Sequence, residues 1–385
     1  MGSMREVFVF TKDANGGIAS LLEQFSRLES QDLQFKLFLY RESPLHVFAG
    51  KVEYINRFYP EDLAFSLDKI YILIKNVIRT YFLLRKYSIR KTLFACDMYS
   101  ALVLLVLKLI TGQGNRVICL VNSNFQRIIA QKSNPFYRLT LRWFVRFLYR
   151  QADHIVYVSQ DLMLASNTFL NIYPKKASCI QNGISRTVVA EKMSMVLNDM
   201  DLQNMKSDPA FKVISVGRLV DQKDFQSLLL AFAEVHKKLE NTSLYIIGDG
   251  VLREKLETLS RELHIKEYVH FLGWKDNIYP FYKEADVFVL STHYEGFGRV
   301  LLEAMACQLP VISTDVNYGP AEILHRGEFG VLIPEGNVSK LTDSIMQFIN
   351  DSSKRKKYSN LADKRVGDFS ENEMFTRYKK MFMNL

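Results

Sequence analysis

His293-Tyr-Glu295-Gly296-Phe297-Gly298-Arg299-Val-Leu-Leu-Glu303-Ala-Met-Ala-Cys-Gln-Leu-Pro310-Val-Ile-Ser-Thr-Asp315-Val-Asn-Tyr-Gly319-Pro320 is the stretch that decides how this 385-residue chain folds. Val287–Leu290 just before it reads as a short buried strand. Gly296 and Gly298 permit a sharp turn, and Val300–Ala306 has the apolar character of a buried helix. Strand, glycine turn and helix in that order are one unit of a parallel α/β sheet, and the free N–H groups at such a helix start can hold an anion.

Glu295 falls in the loop and Glu303 inside the helix, so the two carboxylates are set up for different work. A carboxylate accepts two hydrogen bonds from neighbouring hydroxyls, which suits Glu303 to a ribose diol and Glu295 to the hydroxyls of a hexose. The same spacing also suits a helix-capping Glu295 and a salt-bridged Glu303, and spacing alone leaves both readings open.

Working outward, apolar strand-like runs alternate with helical ones along the chain, as two parallel sheets require. In the first half the expected strands are Val7–Phe10, Phe35–Tyr40, Thr92–Ala95, Val117–Val121, His154–Val158 and Ala177–Gln181. In the second they are Lys212–Val216, Ser243–Ile247, Tyr268–Phe271, Val287–Leu290, Val311–Ser313 and Gly330–Ile333. The polar stretch Val188–Asp208 reads as the linker. With 48% hydrophobic residues the chain has enough apolar material for two cores. Repeats and low-complexity tracts are absent from the sequence.

Cys96, Cys119, Cys179 and Cys307 are far apart and sit mostly in apolar runs, so buried reduced thiols are expected rather than a disulfide framework or a zinc site. Met1-Gly2-Ser3 before Met4 resembles an expression scar, and with Arg5–Phe10 reading as a first strand no signal peptide is expected. The net charge of +9 is uneven: residues 1–190 hold 25 Lys/Arg against 13 Asp/Glu, whereas residues 191–385 hold 25 against 28. A basic half attracts phosphate-rich partners, and without a nucleic-acid-binding signature an anionic bilayer or a pyrophosphate-linked lipid is the better match. Ile70–Lys86 and Phe136–Arg150 combine long apolar side chains with Lys and Arg. In the second segment Arg138, Arg142, Arg146 and Arg150 recur every four residues, with Trp143, Phe144 and Phe147 elsewhere around the helix. Both suit peripheral attachment; Met98–Ile110 is too short to span a membrane.

The quoted stretch, through Gly319-Pro320-Ala-Glu322-Ile, resembles the Glu-x7-Glu region of the retaining glycosyltransferases of family four. Further segments follow in the family's order: Gly16-Gly17-Ile18, Ala152–Ser159, Gln181-Asn182-Gly183-Ile184, Val216-Gly217-Arg218-Leu219 with Lys223, Gly248-Asp249-Gly250 and Phe271-Leu-Gly273-Trp274. The resemblance covers nearly the whole chain. It implies a GT-B fold, two Rossmann-like α/β domains facing a cleft. Residues 1–187 would bind the acceptor, residues 188–369 would bind a nucleotide sugar, and a final helix at about 370–385 would return to the first domain.

What the resemblance implies for the site is specific. Arg218 and Lys223 match the family's cation pair, fitted to neutralise a departing diphosphate with the amides near Gly298. Donor contacts are expected at Gly16, Gly17, Phe297, Gly298, Arg299 and Glu303, with Trp274 flanking the base. Many members carry a histidine where this chain has Asn122, which can hydrogen-bond a sugar but cannot act as a general base. Glu295, Arg218, Lys223 and Asn122 are the expected catalytic set, in a front-face retaining reaction without metal or cofactor. The donor is expected to be a UDP-hexose or UDP-N-acetylhexosamine and the acceptor a lipid-linked or cell-surface glycan. The location is expected to be cytoplasmic, peripheral at the inner face of the membrane.

Four alternatives stand beside this reading. A GDP-mannose-dependent mannosyltransferase shares every motif, and a membrane-docked nucleotide-sugar-binding protein without transfer would keep the fold. A dinucleotide oxidoreductase would want Gly-x-Gly-x-x-Gly after strand one, which Asp13-Ala-Asn-Gly16-Gly17 does not supply. A two-carboxylate glycosidase leaves the phosphate-binding features without purpose.

Overall fold

The computed structural model describes residues 5–12, 16–41, 51–55, 67–87, 91–112, 114–130, 134–171, 176–316 and 318–384. The chain forms two compact units, one of residues 1–182 with 373–385 and the other of residues 183–372.

The first unit contains β1 (Arg5–Thr11), α1 (Gly17–Leu28), β2 (Leu33–Leu39), β3 (Lys51–Tyr54), α2 (Leu67–Leu84), β4 (Thr92–Ala95), α3 (Met98–Thr111) and β5 (Arg116–Val121). It continues through α4 (Phe125–Ala130), α5 (Pro135–Tyr149), β6 (His154–Tyr157), α6 (Gln160–Leu170) and β7 (Ala177–Cys179). The strands are all parallel in the order β3-β2-β1-β4-β5-β6-β7. Because helices cover both faces, central strands such as Val7-Phe8-Val9-Phe10 are buried without alternation. Strand β3 was not among the expected strands, so Leu120-Val121 ends the fifth strand of this sheet rather than the fourth, and Asn122 follows it.

The second unit contains α7 (Arg186–Ser194), α8 (Met200–Ser207), β8 (Phe211–Val216), α9 (Phe225–Lys238), β9 (Thr242–Ile247), α10 (Arg253–Glu262), β10 (Val269–Gly273) and α11 (Tyr279–Glu284). After β11 (Val287–Leu290) come α12 (Arg299–Ala306), β12 (Val311–Thr314), α13 (Pro320–Ile323), β13 (Val331–Ile333), α14 (Val338–Asn350) and α15 (Ser352–Val366). Its six parallel strands run β10-β9-β8-β11-β12-β13. The core is mainly aliphatic, with Val213, Leu228, Leu244, Ile246, Val289 and Ile312 at its centre.

The stretch expected to be a linker, Val188–Asp208, instead folds as α7 and α8. Ser185 Oγ caps the first through the Val188 amide and Asp199 Oδ1 the second through the Leu202 amide, while Val189, Leu202 and Met205 are buried. The chain enters this unit beside the point where it leaves. Ile184 donates its amide to the Phe369 carbonyl at 2.8 Å, and a Cβ on Gly183 would lie 2.6 Å from Glu371 Cα.

The last helix, α16 (Glu371–Asn384), begins in the second unit and belongs to the first from residue 373 onward. Tyr378 and Phe382 are buried there against α1 and the sheet, with ring centroids 5.1 Å from Phe25 and 5.5 Å from Phe94 respectively. Arg5 Nη1 donates to the Phe382 carbonyl at 2.9 Å. On the other side α2 neighbours α3, which neighbours α5. Cys96, Cys119 and Cys179 are buried and all four cysteines are free thiols.

Candidate functional site

In the second sheet the chain order reverses between β8 and β11, so the connections leaving their carboxyl ends diverge and open a crevice there. The residues after β8 and after β11 are those singled out in the sequence as Gly217–Lys223 and His293–Gly298.

The turn after β8 is held by close backbone packing. Gly217 donates its amide to the Ile247 carbonyl at 3.0 Å and Leu219 to that of Asp249 at 3.0 Å. Gly248 has φ of +133°, and a Cβ there would sit 2.0 Å from the Gly217 oxygen, so this position admits only glycine. Thus Gly248-Asp249-Gly250 shapes the loop that presents Arg218 and Lys223.

Lys223 and Glu295 form an ion pair through Nζ and Oε1, 72 residues apart in sequence, with side chains only 12% and 10% exposed. The stem of Lys223 lies over Gly217, where an added Cβ would meet Lys223 Cε at 3.3 Å. The segments that carry the pair are stitched together: Thr292 Oγ1 donates to the Gln222 carbonyl at 2.8 Å, Ser291 Oγ to that of Asp224 at 2.9 Å, and Gln222 Nε2 to that of Tyr294 at 2.8 Å. Asp224 adopts φ of +44° and caps α9 through the Ser227 amide. Its other carboxylate oxygen lies 3.8 Å from His293 Nε2, while His293 Nδ1 is 3.0 Å from Glu335 Oε1. Arg218, beside this cluster, is exposed and makes no ion pair among the described residues.

Beyond Glu295 the chain turns at Gly298, φ +92°, into α12, whose first turn has no side-chain cap. The Phe297 ring is buried and packs edge-on against Phe369 at 5.7 Å. A ligand at this turn would therefore meet the main chain of Phe297 and not its ring. Gly319, with φ of +68°, fits against Phe297, where a Cβ would come within 2.3 Å of the carbonyl oxygen. Glu303 is buried in α12 with Arg299 Nη2 3.6 Å away, the i,i+4 pair that spacing left open. Burial, and then the neighbouring Glu303 charge, pushes the Tyr282 phenol well up and the Cys307 thiol up to about 12. Trp274 follows β10 as a residue 61% exposed, with Nε1 donating to Asp276 Oδ1 at 3.3 Å, so it is not a packing tryptophan.

The first unit has its own reversal point, between β1 and β4. Gly16 precedes α1 with φ of +56° and open space where a Cβ would stand; its backbone conformation, not crowding, requires glycine. Gly17 is the first residue of α1. Asn122 follows β5, with Nδ2 donating to the Cys96 carbonyl at 3.2 Å and Oδ1 accepting from Ser123 Oγ at 3.2 Å.

Asp97 was missed in the sequence. It accepts from Thr11 Oγ1 at 2.8 Å, the Lys12 amide at 2.7 Å and the Ser100 amide at 2.9 Å, tying the ends of β1 and β4 together. Desolvation raises its carboxyl pKa against those hydrogen bonds, which lower it. Its signal was a capping box, Asp97-Met-Tyr-Ser100, directly after a buried strand. His154 begins β6, at the opposite end of the sheet from these residues. Among the described residues no His, Cys, Asp and Glu group is arranged to hold a metal ion, and no helix is long and apolar enough to cross a membrane.

The chain matches two family models that together take in most of its length: "Glycosyltransferase Family 4" over residues 15–187 and "Glycosyl transferases group 1" over residues 200–365. Among curated relatives it is 29% identical, over 67% of each chain, to the N-acetylgalactosamine-N,N'-diacetylbacillosaminyl-diphospho-undecaprenol 4-alpha-N-acetylgalactosaminyltransferase of Campylobacter jejuni. Among solved structures it is similar to Anabaena Alr3699/HepE, crystallised with UDP-glucose, with a TM-score of 0.78 and 17% identity over 99% of this chain and all of that one. A second is WaaG, a glycosyltransferase involved in lipopolysaccharide biosynthesis, with a TM-score of 0.74 and 16% identity over 98% and 99% of the two chains. At these identities the structural matches speak for the fold, which is GT-B.

Proposed function

Since this chain belongs to the glycosyltransferases of family four, we propose that it moves a hexose or N-acetylhexosamine from a UDP-linked donor to a lipid-linked or cell-surface glycan, with retention of configuration. The observation that carries the reading is the Lys223–Glu295 pair at the reversal point of the second sheet, beside an exposed Arg218 and the uncapped start of α12. As the anomeric C–O bond breaks, negative charge grows on the diphosphate, and fixed cations and amides aimed at that charge lower the barrier. Arg218, Lys223 and the amides after Gly298 supply them in this reading, with no call on a metal ion. Glu295 holds sugar hydroxyls, Glu303 the ribose and Trp274 the base.

From the first unit, we assign Gly16, Gly17 and Asn122 to phosphate and sugar contacts. In this reading the acceptor hydroxyl attacks on the face the diphosphate leaves and passes its proton to the departing oxygen, while Asn122, which cannot take a proton, orients the donor sugar. A UDP donor is supported by the UDP-glucose bound to the Anabaena structure, and a polyprenyl-diphosphate-linked acceptor by the name of the Campylobacter relative.

Peripheral contact with the cytoplasmic face of a membrane is supported by the surface of the first unit. Tyr71, Ile74, Ile78 and Phe82 form an exposed stripe on α2, and Phe136, Leu139, Trp143 and Phe147 another on α5. Trp143 and Phe147 stack outside the core, 5.8 Å apart. No acidic residue occurs between Asp97 and Asp153, a stretch with eight Lys and Arg. The α5 arginines are not a free row, however: Arg142 lies over the Phe169 ring at 4.5 Å and Arg150 donates to the Asn171 carbonyl at the end of α6.

The test is calorimetric binding and hydrolysis of a panel of UDP- and GDP-sugars in chelator, with Glu303→Ala as control. Binding of one UDP-sugar with slow release of UDP is expected. Preference for GDP-mannose would replace the donor, binding without turnover even with acceptors would leave a binding protein, and no binding would overturn the site.

A further inference from the structure

Lys223 and Glu295 are given separate tasks in the reading above, the diphosphate and the sugar, yet each is occupied by the other. Both are held at close quarters by the stitching of residues 222–224 to 291–294, so neither main chain can withdraw. What can exchange partners is the end of the lysine side chain, whose stem passes over Gly217.

Resting on that reading, we propose that the donor's diphosphate and the Glu295 carboxylate compete for Lys223, so that the ion pair is a latch coupling the two ends of the donor. A diphosphate draws the ammonium to itself, and the carboxylate so released is taken up by sugar hydroxyls. A complete nucleotide sugar satisfies both groups. A bare nucleoside diphosphate takes the lysine but strands Glu295, a mostly buried carboxylate, without its cation, and an unpaired buried charge is costly. The pair therefore re-forms against the spent nucleotide and favours its release. This requires no new chemistry, only an exchange of partners on Lys223.

The latch makes an unusual prediction: removing a binding-site carboxylate tightens product binding. UDP and GDP binding is measured calorimetrically for wild type, Glu295→Gln, Glu295→Asp, Lys223→Met and the double variant Lys223→Met/Glu295→Gln. Thermal unfolding of each shows that it is folded. Glu295→Gln, relieved of the competing pair, is expected to bind the bare nucleoside diphosphate about fivefold tighter, the scale of one modest ion pair. Glu295→Asp keeps the negative charge but shortens its reach, and is expected to tighten binding in the same direction. In the Lys223→Met background the Glu295→Gln change is expected to have no effect.

Unchanged or weaker binding by both Glu295 variants overturns the latch. So does equal tightening with and without Lys223, which would mean simple relief of repulsion between carboxylate and phosphate. Wild-type protein that binds neither UDP nor GDP removes the donor reading itself and the latch with it, whereas normal wild-type binding with no tightening removes the latch alone.

Discussion

Gly248→Ala should damage the site without touching any residue expected to contact ligand. The added Cβ would lie 2.0 Å from the Gly217 oxygen and 2.9 Å from its carbonyl carbon, both backbone atoms with no side chain to yield. Relief requires the Gly217 segment to retreat by about 1 Å, and overpacking of that kind costs about 1–3 kcal/mol. The backbone φ of +133° lies in a region that residues with a Cβ rarely adopt and adds a strain of about 1–3 kcal/mol. The expected loss of stability is therefore about 2–6 kcal/mol. Gly217 is followed directly by Arg218 and supports the stem of Lys223, so the retreat moves both cations. A misplacement of about 1 Å can cost about 100-fold in rate. Urea unfolding and kcat/KM for donor turnover measure the two effects. Gly112→Ala, in the αL region at a φ of +59° with open space around it, reports a milder backbone strain with no close approach. If Gly248→Ala loses no more stability than Gly112→Ala and keeps its kcat/KM, the reasoning from close approach is wrong.

Replacing Arg218 or Lys223 by Ala should each remove about 2–4 kcal/mol of transition-state stabilisation in kcat/KM; a loss below about twofold for both would remove them from the mechanism. Phe382→Ala empties a fully buried position among Phe25, Phe35, Phe94 and Tyr378, and unfolding should show the first unit weakened by about 3–5 kcal/mol. Glu6 is held below the usual carboxylate range by its hydrogen bond to Lys36 and then by that to Lys91. A depressed carboxyl pKa contributes stability above the unfolded-state value that is lost as pH falls through the folded-state one, so Glu6→Gln should flatten the acid limb of a stability–pH curve. Trp143→Ala combined with Phe147→Ala should weaken sedimentation with anionic vesicles by about tenfold or more while leaving donor turnover in solution unchanged; equal sedimentation would refute the bilayer assignment.

Much of the architecture was legible because parallel strands covered on both faces are written as unbroken apolar runs, and Val7–Phe10 or Val287–Leu290 can hardly be read otherwise. Strand β3 escaped because Lys51-Val-Glu-Tyr54 is short, sits at the sheet edge and carries two charges. Helices α7 and α8 escaped for a related reason: they bury three apolar residues between them, and their identity lies in the caps Ser185 and Asp199 rather than in periodicity. At the site, the residue types were readable from their motifs, but partnership was not. Lys223 meets Glu295 across 72 positions and Asp97 meets Lys12 across 85, distances that only strand order closes. The inward turn of Phe297 depends on Phe369 and was equally invisible.

The helix α16 has a consequence for how the protein is born. A ribosome delivers the strands of the first unit, then all of residues 183–372, and only then the helix that covers Phe25 and Phe94. At about 5–20 residues per second that interval lasts about 10–40 seconds. For that time the nascent first unit carries an uncovered aromatic face, which is the surface a chaperone recognises, and the second unit has all its residues before the first does. Synthesis thus finishes the two halves in the reverse of the order in which it starts them.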